Sequence, residues 1–209
     1  MLRSEFIPAV EKESRRLLVG LHGLGDSAAG LRWLPEALDL PWLNYLLVKA
    51  PDEYYGGYSW YDIYDNPTPG VKRSRELLFE LLDAQRAKGF PTEQTVLFGF
   101  SQGCLMTIEV GARYPHQFAG LVGISGYVFE PERLVKELSP AAKEQRFLVT
   151  HGLQDPVVPF AVTRAHIKML KAASLNIAWH EFNKEHTIAG EPEVRLIREF
   201  IKEGFQPKE

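Results

Sequence analysis

Short runs of apolar side chains punctuate the chain at Leu17–Leu21 (LLVGL), Tyr45–Val48 (YLLV), Thr95–Phe100 (TVLFGF), Gly120–Ile124 (GLVGI), Phe147–Thr150 (FLVT) and Asn176–Phe182 (NIAWHEF). Runs this continuous predict strands covered on both faces. Between them the apolar positions fall three or four apart. Val71, Leu78, Leu81 and Leu82 mark one helical stripe, and Val194, Ile197 and Ile201 another. Lys72-Arg73-Ser74-Arg75, followed by Glu76, reads as a solvated start to the first of these helices, and Gly89 with Pro91 as its stop. Strands alternating with helices predict an α/β fold: a mostly parallel central sheet with helices on both faces, in one domain over 1–209. Ligands in such sheets sit beyond the carboxyl ends of the strands, so the loops directly after them are where chemistry is sought.

Composition narrows the field. A chain of 209 residues with 45% hydrophobic and 24% charged residues has ample material for a core, which argues against disordered and fibrous classes. Net charge is −3 with scattered Lys and Arg, so neither nucleic acid nor an anionic membrane is an expected partner. No apolar run reaches the roughly 18 residues of a membrane span, and the N-terminal stretch has no apolar signal region. A single cysteine, Cys104, excludes an intrachain disulfide and suits a reducing compartment, so a cytoplasmic location is expected.

The third run leads into Gly99-Phe100-Ser101-Gln102-Gly103, a G-x-S-x-G, and then into the helical pattern CLMTIEVGARY. A sharp strand-to-helix turn leaves the Ser101 hydroxyl exposed above the sheet, with glycines on either side where strand and helix cross. A serine hydroxyl needs a base, usually a histidine oriented by a carboxylate. Asp155 follows the fifth strand in HGLQDP, and His186 follows the sixth in NKEH, so each falls at a strand end in the order such sites use. The developing oxyanion needs donors. The backbone N–H of Gln102, next to the nucleophile, supplies one; that of Leu24, in the loop His22-Gly23-Leu24-Gly25-Asp26, is the candidate for the second. Read alone, that loop is also compatible with a plain glycine turn. His22 and His151 read as braces for their loops, and no His, Cys or acidic residues have metal-ligand spacing; no cofactor is expected.

Taken together, LHGLGDS, APD…SWYDIY, GFSQGC, HGLQDPVVP and HTIAGEPEVRLIREFI resemble the phospholipase/carboxylesterase family, from about Leu17 to Ile201. The resemblance implies an α/β-hydrolase fold without a large lid domain. It implies Ser101, His186 and Asp155 as the catalytic triad and Leu24 and Gln102 as oxyanion donors. It also implies an acyl ester or thioester as substrate, and a homodimer as an available assembly that no patch in the sequence specifies. Trp60, Tyr58 and Val158 are the expected substrate contacts, Trp60 being largely buried and Tyr54, Tyr55 and Tyr58 forming a rim. Three positions depart from the family pattern. Glu185 stands where glycine usually precedes the histidine, and is expected to face solvent. Cys104 stands where Gly or Ala is usual and is expected to pack. The loop before SWYDIY is rich in tyrosine, which suits short or aromatic acyl groups. A short- to medium-chain carboxylesterase is therefore expected, with a long-chain acyl-protein thioesterase or lysophospholipase as the alternative.

Overall fold

The computed structural model describes residues 2–206. In chain order the strands are β1 (Ser4–Ile7), β2 (Arg16–Leu21), β3 (Leu43–Val48), a hairpin of β4 (Asp52–Tyr54) and β5 (Gly57–Ser59), then β6 (Thr95–Phe100), β7 (Gly120–Ile124), β8 (Arg146–Gly152) and β9 (Asn176–Phe182). The helices are α1 (Leu34–Leu38), α2 (Pro67–Ala87), α3 (Gln102–Arg113), α4 (Pro131–Lys136), α5 (Phe160–Ala172) and α6 (Glu191–Gly204). The hairpin stands apart. The other strands form one sheet in the order β1-β3-β2-β6-β7-β8-β9, parallel throughout except for antiparallel β1.

Side chains alternate across this sheet, as the pleat requires. Leu17, Val19 and Leu21 face a core roofed by α2, α3 and α5, while Leu18, Val96 and Phe98 face the opposite way, toward α1 and α6. Helices on both faces bury the central strands apart from Arg16 and Phe100 at two strand ends, which is why their sequences read as continuous apolar runs.

Some features differ from the sequence expectation. β9 is an edge strand, and its burial alternates rather than being complete, because Ala178 and His180 face solvent. β1 and the hairpin were not expected; each is only three or four residues long, too short for a period to show. α2 starts at Pro67, ahead of the basic run, where Asn66 Oδ1 accepts the Thr68 N–H at 3.1 Å and proline occupies the first helical position. Within that run Ser74 is fully buried and donates to the Trp60 carbonyl at 2.5 Å.

Candidate active site

The sharp turn between β6 and α3 is built by its glycines. A Cβ on Gly99 would lie 2.1 Å from the Gly103 carbonyl oxygen, and one on Gly103 would lie 2.1 Å from that of Leu21. Only glycine permits β2, β6 and α3 to approach this closely. Ser101, between them, is held at φ 55°, ψ −115°, a region non-glycine residues rarely occupy. Its N–H donates to the Ile124 carbonyl at 2.9 Å, locking the strained residue to the end of β7.

The loops after β8 and β9 bring the other polar residues to this point. His186 Nε2 lies 2.9 Å from Ser101 Oγ, and His186 Nδ1 lies 2.8 Å from Asp155 Oδ2. A carboxylate only accepts, so Nδ1 carries the imidazole proton and Nε2 is left to accept from the serine hydroxyl. The Asp155 side chain has no exposed surface. Burial opposes its charge, yet the N–H groups of Val158 and Val157, at 2.8 and 2.9 Å, together with His186, hold its pKa below the usual carboxylate value.

Across from His186, the loop after β2 passes beside Ser101: a Cβ on Gly23 would lie 3.3 Å from that of Ser101. Among the described residues, the backbone N–H groups of Leu24 and Gln102 carry no hydrogen bond. The β4–β5 hairpin clasps this loop. Gly25 N–H donates to Tyr58 O and Tyr58 N–H to Asp26 O, both at 2.9 Å, and Gly57 touches the Gly25 carbonyl so closely that no side chain would fit. The hairpin is in turn fixed by the Gln102 side chain. Its Oε1 accepts from the Trp60 N–H at 2.9 Å and its Nε2 donates to Tyr61 O at 2.9 Å, while the one Ser59 hydroxyl proton goes to Tyr61 O at 2.7 Å.

The expected substrate contacts fare differently. Trp60 has no exposed surface; its indole N–H donates to the His22 carbonyl at 2.9 Å, so it braces the loop from within the core. Tyr58 has its ring under Lys49 Nζ at 3.7 Å and lines a separate cleft with Leu2 and Leu77, one that does not include Leu24 or Ser101. Alternation along β5 puts Ser59, not Tyr58, on the side of Leu24. Val158 is buried, and its backbone holds Asp155 through the N–H and His151 Nε2, at 3.0 Å, through the carbonyl. The surface near Leu24 is lined instead by Tyr54, Tyr55, Ile63 and Tyr64, around a cleft of about 390 Å³. A second cleft of about 290 Å³ lies on the other side, beside His186, Trp33, Phe100 and Ile188. No motif or apolar period singles out Ile63, Trp33 or Ile188.

The remaining chemistry is quiet. His22 Nε2 accepts from the Ala50 N–H at 3.1 Å and its Nδ1 faces Gly23 O at 2.7 Å; burial lowers its pKa, and likewise that of His151, so both are neutral braces. Cys104 is wholly buried beneath Gly123 and Gly126, and burial pushes its thiol up to about 12. Glu185 is exposed. Among the described residues no cluster of His, Cys, Asp or Glu could hold a metal ion, and no helix is long and apolar enough to cross a membrane.

A mostly parallel sheet with the strand-turn-helix at Ser101 defines an α/β-hydrolase. The sequence profile of the Phospholipase/Carboxylesterase family matches residues 2–204, and the chain belongs to that family; it is a serine hydrolase. It is 34% identical to acyl-protein thioesterase 1 of Schizosaccharomyces pombe over 167 residues, covering 73% of this chain and 74% of that one. It is 27% identical to acyl-protein thioesterase 1 of Yarrowia lipolytica over 90% of this chain and 92% of that one. The crystal structure of esterase PE8 superposes with a TM-score of 0.86 at 27% identity, covering 97% of this chain and 98% of that one.

Proposed function

We propose that this protein is a carboxylesterase that hydrolyses short- to medium-chain acyl esters with Ser101, His186 and Asp155 as its triad. The observation that carries the reading is the unbroken hydrogen-bond path from Ser101 Oγ through His186 to Asp155. His186 Nε2 takes the serine proton as Oγ attacks the acyl carbonyl, and Asp155 stabilises the imidazolium. The N–H groups of Leu24 and Gln102 hold the oxyanion, each donor being worth about 3–4 kcal/mol of barrier. The imidazolium then protonates the departing alcohol, and water, deprotonated by His186, releases the acid from Ser101. Trp60 and Val158 act as positioning residues, holding the oxyanion loop and Asp155 respectively.

The chain-length reading rests on the clefts, which are small and lined by Tyr54, Tyr55 and Tyr64 on one side and Trp33 and Phe100 on the other. A thioesterase acting on long acyl chains is the second reading, favoured by the likeness to the two acyl-protein thioesterases. A single buried cysteine suits work in the cytoplasm.

Hydrolysis of p-nitrophenyl esters from acetate to palmitate, with matched thioesters, tests both readings in wild type and Ser101→Ala. Activity that peaks on short esters and is absent in the variant is the expected result. A peak on long-chain thioesters moves the substrate to the second reading, and full activity in Ser101→Ala overturns the triad.

A further inference from the structure

The loop that carries His186 is held by a buried ion pair. Lys184 Nζ lies 2.6 and 2.8 Å from the two oxygens of Glu193, and both side chains are almost wholly inaccessible, at 3% and 0% exposure. Glu193 sits in the first turn of α6 and collects two further donors. Thr150 Oγ1, at the end of β8, donates at 2.5 Å, and the Ala189 N–H donates at 2.6 Å. One carboxylate therefore ties down both flanks of His186, through Lys184 before it and Ala189 after it, and joins them to the strand that leads to Asp155. The Lys184 carbonyl makes a separate link by accepting the Gln154 N–H at 3.1 Å, next to Asp155.

Stability alone does not account for this arrangement. Desolvating two charges costs several kcal/mol each, and replacing a buried pair by apolar side chains of similar volume is often neutral or stabilising. What an apolar cluster lacks is direction: it fills space without fixing where the loop backbone lies. A base whose ring must meet Oγ at 2.9 Å and Oδ2 at 2.8 Å depends on direction.

We infer that Glu193, with Lys184 as its counter-charge, is a positioning residue that sets the imidazole of His186 between Ser101 and Asp155. The inference rests on the triad proposed above. Misplacement of a reacting group by about 1 Å can cost about 10²-fold in rate, so loss of the tie is expected to lower kcat by at least about ten-fold while KM changes by less than about two-fold.

The decisive variant is the apolar swap Thr150→Val/Lys184→Met/Glu193→Leu, assayed beside Glu193→Gln, Ser101→Ala and wild type. The swap is expected to keep its ellipticity and Tm while kcat on p-nitrophenyl butyrate falls and fluorophosphonate labelling of Ser101 slows in proportion. A folded swap with wild-type kcat and labelling overturns the inference. If the swap fails to fold, Glu193→Gln decides in the same way: folded and slow supports the tie, folded and unaltered removes it. Activity retained in Ser101→Ala would instead fault the triad.

Discussion

Gln102 supplies two different things, and one substitution separates them. Its backbone N–H is the proposed oxyanion donor, while its side chain only fastens the hairpin. Gln102→Leu is nearly isosteric and leaves the backbone amide in place. It removes the acceptor of the buried Trp60 N–H and one of two donors to the Tyr61 carbonyl, which keeps its 2.7 Å bond from Ser59 Oγ. An orphaned buried N–H costs about 1–3 kcal/mol and the second lost bond about 1 kcal/mol, a total of about 2–4 kcal/mol. At about 2–4 °C per kcal/mol for a chain this long, Tm should fall by about 4–16 °C. With the hairpin loosened, the loop bearing Leu24 loses part of its support, and kcat should fall as well. Differential scanning calorimetry and ester hydrolysis on the same preparation measure both. A Tm within about 2 °C of wild type, with kcat unchanged, would refute the reasoning, because a domain of this size cannot hide the loss of a buried hydrogen bond.

Gly57→Ala would place a Cβ 1.9 Å from the Gly25 carbonyl oxygen and force the hairpin off the loop that bears the proposed donor Leu24; kcat should fall at least about ten-fold, against the about 10²–10³ that a missing donor costs. Stability should decline on acidification in two stages. The buried His22 and His151 have lowered pKa values, so the unfolded chain takes up protons first and stability drops as pH falls below about 6.5. Asp155, also lowered, contributes stability that is complete above its unfolded value near 3.9 and is lost as pH falls through its folded value. Urea midpoints from pH 7 to about 2 should show both stages, and Asp155→Asn should reduce the lower one. The hydrogen bond to the Tyr64 hydroxyl, at 2.9 Å, is the largest of the causes that push Tyr54 up to about 12; in Tyr64→Phe, phenolate absorbance should show a tyrosine shifted down toward its ordinary value.

The sheet and the order of its loops were legible because the buried strands are written as continuous apolar runs and the polar loop residues follow them directly. The hairpin was not, although it clasps the loop that bears Leu24. Its turn residues, Tyr55 at φ 42° and Gly56 at φ 88°, occupy the left-handed region that a two-residue hairpin needs, where Asn-Gly or Asp-Gly would have signalled it. Tyrosine in that place carries no turn signal. The role of Trp60 was half legible: its burial was expected, but nothing in SWYDIY says that its indole N–H would reach the His22 carbonyl. Which tyrosines line the cleft depended on the strand register of the hairpin, and a shift of one residue exchanges the faces.

The proposed base hangs from the outermost strand. β9 pairs with β8 alone, so it can part from the sheet while every other strand pair stays closed. Openings of that kind need less free energy than global unfolding and begin at edges. A molecule with β9 released would retain most of its ellipticity and the strained serine, and yet have no partner to take the proton. Warming should therefore silence the enzyme before it melts, with amide exchange along Asn176–Phe182 rising in step with the lost activity.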